Sequence, residues 1–283
     1  FNTTYEISLE DKELILRIAP PADIGFIFYE KNMMAQEPAI HQIVKEKTSI
    51  PIPEILYYDN SHEIIERDFL IMEKLPGYPL TMAYGLSTQK YNNILRQIGK
   101  YLNELHKITA SEYGYLGKHQ PMEPQTSWGQ AFAVMWEKMI DNILEVKGYS
   151  RAEADKLRLL FEEYQAIFER PVPASLCHMD IWHQNILIND AGQVTGIVDW
   201  DRALWGDVEI EFSVLDYCGV SEPAFWEGYG QKRDTSLAAR QRNLFYLLYE
   251  IQKYIIIYRT RRFSPSTAER YKAQVFHLIS KLD

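Results

Sequence analysis

The segment from Cys177 to Asp201 constrains this chain more than any other. It reads CHMDIWHQNILINDAGQVTGIVDWD. Two short apolar runs, Ile186-Leu187-Ile188 and Val194 to Val198, flank the turn residues Asn189-Asp190-Ala191-Gly192, which predicts a strand–turn–strand hairpin. As a pattern the segment is H-x-D-x-x-x-x-N, hairpin, D. The loop before the hairpin presents Asp180 and Asn185, and the strand after it ends at Asp199, folded back beside them. Three oxygen-bearing side chains then share one small volume. Phosphoryl transfer needs such a set: a carboxylate to orient an attacking hydroxyl and accept its proton, and hard oxygen ligands for Mg²⁺ on the phosphates. Asp180 suits the first role, Asn185 and Asp199 the second.

The rest of the chain divides around this hairpin. Tyr5 to Leu9 alternates apolar and polar residues, Glu10-Asp11-Lys12 supplies a turn, and Leu14 to Ile18 follows as a second strand stopped by Pro20-Pro21. Helical spacing runs from Met33 to about Lys47 through Met34, Ile40, Ile43 and Val44. Pro51 and Pro53 end it and lead into a strand at Ile55 to Tyr58. Glu66 to Met72 is a further strand, broken at Leu75-Pro76-Gly77. Beyond Gly77 the pattern is mainly helical: Tyr91 to Ile108, Trp128 to Lys147, Ala152 to Phe168 and Arg240 to Arg259, with a polar linker over Gly114 to Ser127. The fold class is therefore α+β and bilobal. A small antiparallel-sheet lobe with one helix occupies 1–74, and a larger helical lobe with one hairpin occupies 75–283.

Composition narrows the function classes. With 30 Lys+Arg against 39 Asp+Glu the formal charge is −9, which opposes non-specific binding of nucleic acid. No uninterrupted apolar span suits a membrane. Cys177 and Cys218 form no CxxC pair, so two reduced thiols in a cytoplasmic protein are expected. Between Asp199 and Gly230 the acids Asp199, Asp201, Asp207, Glu209, Glu211, Asp216, Glu222 and Glu227 face the single base Arg202. A cleft lined by such carboxylates would draw in a cationic substrate.

Taken in order, these segments resemble the aminoglycoside phosphotransferase family, small-molecule kinases that share the protein-kinase-like fold. FNTTY is similar to the end of that family's nucleotide-covering loop, LILRIAP to the strand after it, and DFLIMEKLPG to its inter-lobe hinge. LCHMDIWHQNILI resembles the catalytic loop, and GIVDWDRALWGDVEIEF the metal-binding Asp with the Gly-Asp that follows. The resemblance implies a kinase that moves the γ-phosphoryl of ATP or GTP, with Mg²⁺, onto the hydroxyl of a small molecule. Asp180 would be catalytic, with Asn185 and Asp199 on the metal. Thr4, Arg17, Glu37, Met72, Glu73 and Leu75 would serve the nucleotide, Glu37 pairing with Arg17. His178 and Asp207 would support the loop, and Trp182, Glu211 and Asp216 would be substrate candidates. Arg17 stands where the pattern has Lys, and a planar guanidinium does not hold phosphates as an ammonium does. If Asn2-Thr3-Thr4 closes the nucleotide loop, the strand and glycines before it lie upstream of Phe1.

Three functions compete: a small-molecule kinase, a protein kinase, and a catalytically inactive nucleotide-binding scaffold. A protein kinase needs a long activation segment after its metal Asp, whereas here Trp205-Gly206-Asp207 follows within a few residues of Asp199. A scaffold need not retain all three chemical residues. Among kinases, choline- and fructosamine-type acceptors stand beside aminoglycosides as alternatives.

Overall fold

The computed structural model of the protein describes residues 1–282. The chain begins with the strands β1 (Thr3–Ser8) and β2 (Glu13–Ile18), then a 3₁₀ turn at Met33–Gln36 that runs into α1 (Glu37–Lys47). Pro38 in the first turn and Lys45 and Lys47 in the last suit the helix ends and their dipole. Next come β3 (Ile55–Asp59) and β4 (Phe69–Glu73). The four strands form one antiparallel sheet in the order β1-β2-β4-β3, in which Arg17 of β2 lies between Thr4 and Leu70.

A short strand β5 (Tyr78–Pro79) follows the hinge, then α2 (Thr88–Leu105), β6 (Thr109–Ala110), α3 (Trp128–Glu145) and α4 (Arg151–Tyr164). Ser87, Ser127 and Ser150 each accept a backbone N–H at the start of their helices, and Ser150 with Glu153 completes a capping box. The chain continues through β7 (Ala174–Cys177), β8 (Ile186–Ile188), β9 (Val194–Ile197) and β10 (Leu204–Gly206), and ends in α5 (Glu209–Tyr217), α6 (Pro223–Tyr229), α7 (Leu237–Thr260) and α8 (Pro265–Ile279).

Two small antiparallel ladders position everything that follows. β8 pairs with β9, as the hairpin pattern predicts, and β5 joins its other edge. The pairing of β7 with β10, Cys177 opposite Leu204, has no such signal, because both strands are short runs without alternation. Loop 178–185 leaves β7 and enters β8; segment 198–203 leaves β9 and enters β10. Pinned at both ends, the two run side by side, and the Val198 amide donates to the Asn185 carbonyl at 3.1 Å. Gly77 lies at the hinge with φ +100°, and a Cβ there would strike the Ile188 carbonyl and Thr195, so β5 docks on the hairpin only through a glycine.

The apolar residues separate differently from the lobes. One core joins α3, α4, α7 and α8 around Phe132, Trp136, Phe161, Phe168, Phe245 and Tyr246. A second unites Ile40, Val44, Ile50 and Ile52 of the first lobe with Ile94, Leu102, Ile197 and Trp200 of the second, so burial does not divide at the hinge. The segment after Pro20-Pro21 also crosses over. Ile27 and Tyr29 are buried in the helical core, and the Phe28 amide donates to Asn142 at 2.6 Å. The stretch expected as a polar linker, Gly114 to Ser127, is instead packed: Tyr115 and Met122 are buried, and Tyr113 bridges to Gln125. Its polarity reflects a short antiparallel excursion rather than a loose connector. Both cysteine thiols are free. Among the described residues no helix is long and apolar enough to cross a membrane.

His119, on that excursion, has its pKa pushed down to about 4 by burial. The unfolded chain, near 6.5, therefore binds a proton that the fold does not, and this contribution to stability declines as pH falls from about 6.5 towards 4. His119→Gln should consequently lose less melting temperature than the unmodified protein between pH 7 and pH 5. Parallel pH slopes in scanning fluorimetry would contradict the burial.

Candidate active site

The sequence pattern places Asp180, Asn185 and Asp199 on the two pinned segments, and the fold brings the first two into contact. The Asn185 amide donates to the Asp180 carboxylate at 2.8 Å and to its carbonyl at 2.9 Å. Both N–H groups are thereby used, which turns the Asn185 side-chain oxygen away as an available acceptor. Asp199 has left-handed backbone at φ 70° and a side chain 39% exposed. One of its oxygens accepts from Arg17 at 2.6 Å. Met179 is also left-handed, at φ 66°. Such backbone in non-glycine residues costs about 1–3 kcal/mol and must be held by its surroundings.

Three groups hold it. The buried His178 accepts the Asp180 amide at Nδ1 (3.1 Å) and meets the Val198 carbonyl at Nε2 (3.1 Å). Those two partners define one tautomer, Nε2–H donating, and tie the Asp180 loop to the residue before Asp199. Burial holds the imidazole below its ordinary pKa despite the pull of Glu211 and nearby aspartates, so it is neutral. Trp200 packs on it with ring centroids 4.3 Å apart. Beneath the loop, Glu211 of α5 accepts from the His178 amide at 3.2 Å and the Met179 amide at 2.7 Å, while His106 contacts it at 2.7 Å.

Arg17 forms the other side of the site. Its guanidinium contacts Glu37 at 2.6 Å, Asp199 at 2.6 Å and Asp201 at 3.2 Å. Burial pulls its pKa down, but the three carboxylates more than offset this, and Arg17 stays charged. Asp201 shows the opposite balance: burial first, then Asp199, push it well above the usual carboxylate range against the attraction of Arg17. Burial pushes the Asp180 carboxyl up, but the charges of Arg202 and Lys253 outweigh it and hold the group below the ordinary aspartate value.

A cleft of about 490 Å³ opens between the lobes. Thr4, Arg17, Met72, Glu73, Leu75, Asn185 and Asp199 line it together, and Glu37 stands behind Arg17. The Leu75 amide makes no backbone hydrogen bond among the described residues. Trp182 lies elsewhere, on loop 178–185 with 40% exposure.

Several expectations need correction. Asp207 does not support the loop: it accepts from Arg170, from the Tyr246 hydroxyl at 3.1 Å and from the Glu209 amide. Glu211, expected as a substrate residue, does that work and is fully buried, so it cannot reach an acceptor. Asp216 is paired with Arg233 at 2.6 Å. The acids line no purely anionic cleft either: Asp207 and Glu209 border a second cavity of about 360 Å³, but Lys107, Arg170, Lys232 and Arg233 share its wall. Glu209 pairs with Arg242 and Arg170, Glu227 with Arg96, and only Asp199 of the eight acids lines the nucleotide-sized cleft. Residues beyond the pattern matter as well: Asp201, Arg202, Glu250 and Lys253 form a buried charged network around the trio.

Comparison with known proteins agrees with this architecture. Solved structures share the fold across almost the whole chain. A Haemophilus somnus protein provisionally assigned as a fructosamine-3-kinase superposes with a TM-score of 0.69 at 18% identity, covering 98% of this chain and 88% of its own. A thermostable mutant of the aminoglycoside phosphotransferase APH(4)-Ia, in a ternary complex with AMP-PNP and hygromycin B, gives 0.67 at 15%, covering 98% and 93%. The molecule thus has the protein-kinase-like fold of the small phosphotransferases. Residues 2–242 match the model of the phosphotransferase enzyme family, APH, and the chain belongs to that family. A Vibrio parahaemolyticus protein named a probable ketoamine kinase is 25% identical over 74% of this chain and 69% of its own. Mouse acyl-CoA dehydrogenase family member 10 is 23% identical over 83% of this chain, which spans only 21% of that much longer protein.

Removing the Glu211 carboxylate strands two buried amides, each costing about 1–3 kcal/mol. Glu211→Ala should therefore lose about 3 kcal/mol in denaturant unfolding, whereas Asp216→Ala, at a partly exposed ion pair, should stay within about 1 kcal/mol. Equal losses would contradict the assignment of Glu211 as the loop anchor.

Proposed function

We propose that the protein transfers the γ-phosphoryl of ATP or GTP to a hydroxyl of a small sugar-amine acceptor of the ketoamine class. One observation carries the reading: Arg17, Asn185 and Asp199 line the inter-lobe cleft while Asn185 holds the carboxylate of Asp180 at its edge. The cleft volume suits a nucleotide, and Met72, Glu73 and Leu75 lie where the base would meet hinge backbone.

The donor set fits Mg²⁺. Asn185 keeps a free side-chain oxygen, Asp199 keeps one oxygen not taken by Arg17, and both are the hard ligands that ion prefers. When bound there, it would neutralise charge on the phosphates. Arg17, steadied by Glu37, supplies fixed positive charge facing the same cleft. Asp180 orients the acceptor hydroxyl for in-line attack and receives its proton as the new phosphate ester forms. Its carboxyl lies low in pKa, so it acts chiefly by alignment, which suits a loose transition state in which the nucleophile's proton leaves late.

The sugar-amine class rests on the ketoamine-kinase relatives and on the charge around Asp180. Most acids after Asp199 are matched by bases, so little free carboxylate surface favours a polycation, and an aminoglycoside acceptor is the second reading. An inactive scaffold would not need Asp180, Asn185 and Asp199 mutually supported.

The test is turnover by Asp180→Ala, read as ADP or GDP release over a panel of ketoamines, aminoglycosides and amino alcohols. We expect kcat to fall by about 10³-fold with nucleotide affinity changed less than about threefold. Equal turnover in the variant, or no turnover by the unmodified protein with any acceptor, would defeat the reading.

A further inference from the structure

Arg202 was visible in the sequence only as the lone base of an acidic stretch. In the fold it lies in the turn between Trp200 and Leu204, where β10 starts its pairing with β7 and passes beneath the Asp180 loop. Its guanidinium spans two carboxylates. One nitrogen donates to an Asp180 oxygen at 3.1 Å, the other to Glu250 of α7 at 3.0 Å. Glu250 is also ion-paired with Lys253 one turn along, and the ring of Tyr29 covers the guanidinium at 5.3 Å. Arg202, Glu250 and Lys253 are all buried.

We propose that Arg202 is a positioning residue for phosphoryl transfer, fixing the carboxylate of Asp180 from the side opposite Asn185. The proposal rests on the kinase reading above. Each Asp180 oxygen has one internal donor, Asn185 on one and Arg202 on the other. That leaves the carboxylate a single orientation and reserves its remaining lone pairs for the acceptor hydroxyl. A lone Asn185 contact would allow the group to pivot about one hydrogen bond; two donors on different segments do not. The anchoring extends to three further parts of the chain: α7 through Glu250 and Lys253, the segment crossing from the first lobe through Tyr29, and β10. Only a planar fork can reach both carboxylates at once, so lysine is not an equivalent. An arginine needed only for packing would be satisfied by Glu250 and Tyr29, and it would not spend its second nitrogen on a residue that Asn185 already holds.

The experiment measures ADP release from MgATP and GDP release from MgGTP across the panel of ketoamines, fructosyl-lysine among them, aminoglycosides and amino alcohols, and with water alone, for the unmodified protein, Arg202→Ala, Arg202→Lys and Glu250→Gln. A misplacement of about 1 Å at a reacting group costs about 10²-fold, so Arg202→Ala should lose about that much kcat while the dissociation constant for MgATP stays within about twofold. Ethylguanidinium at millimolar concentration should restore at least about fivefold of the loss, because it refills the vacated site; a merely structural defect would not recover in that reagent, which at this concentration barely perturbs folding. Arg202→Lys keeps the charge and the fold and should lose about tenfold, with Glu250→Gln intermediate. Unchanged kcat in Arg202→Lys and Glu250→Gln overturns the proposal, even if Arg202→Ala fails to fold. A folded Arg202→Ala that is slow and unrescued, or that loses MgATP affinity in parallel, also overturns it. No ADP or GDP release by the unmodified protein with any acceptor of the panel or with water would instead overturn the kinase reading and this inference with it, whereas active protein with indifferent variants removes the inference alone.

Discussion

Arg17 carries one positive charge into a buried site that holds Glu37, Asp199 and Asp201 within 3.2 Å of it. Strand β2 and helix α1 supply two of these groups, and the segment after β9 supplies the other two, so the guanidinium ties the lobes together electrostatically. At this burial the attraction is strong, but so is the cost of removing charges from water. Three acids against one base leave the cluster short of positive charge. The raised pKa of Asp201 expresses that shortage: burial and the neighbouring carboxylates, Asp199 first, make its ionisation costly. A site built this way favours an added cation, which is the physical ground for reading it as one half of a metal–nucleotide site.

The second requirement is rigidity. Two paired ladders hold two loops side by side, and left-handed backbone at Met179 and Asp199 aims the side chains. Glu211 and the neutral His178 keep those loops in place by accepting or bridging backbone groups that would otherwise be buried without partners. Of the residues in these contacts only Val198 lines the cleft. Most polar residues of the site either face the cleft or hold those that do, and Asn185 does both.

Much of this was legible in the sequence, for identifiable reasons. The hairpin announced itself through Asn189 to Gly192, and the fixed spacing around it marked Asp180, Asn185 and Asp199. The Arg17–Glu37 pair followed from resemblance alone and is present in the fold. What stayed hidden depends on tertiary context. A buried glutamate such as Glu211 reads as one more acid of a substrate-facing stretch, because nothing local shows that its helix starts beneath the loop. β7 and β10 are four- and three-residue runs without alternation. The IGFIFY run after Pro20-Pro21 is plainly apolar, yet periodicity does not say that Ile27 and Tyr29 bury in the other lobe. The acidic stretch misled for the same reason, since its partners Arg170, Arg233, Arg242 and Arg96 come from distant elements.

Central to the account is that a metal and a triphosphate share the cleft with Asn185 and Asp199. Calorimetric titration of ATP and of GTP into the protein, with Mg²⁺ and again with a chelator, tests this most directly. The account predicts binding by at least one nucleotide that tightens severalfold with Mg²⁺, and loss of that metal dependence when Asn185 and Asp199 are both alanine. Binding indifferent to Mg²⁺ in the unmodified protein, or a metal effect that survives the double substitution, would contradict it.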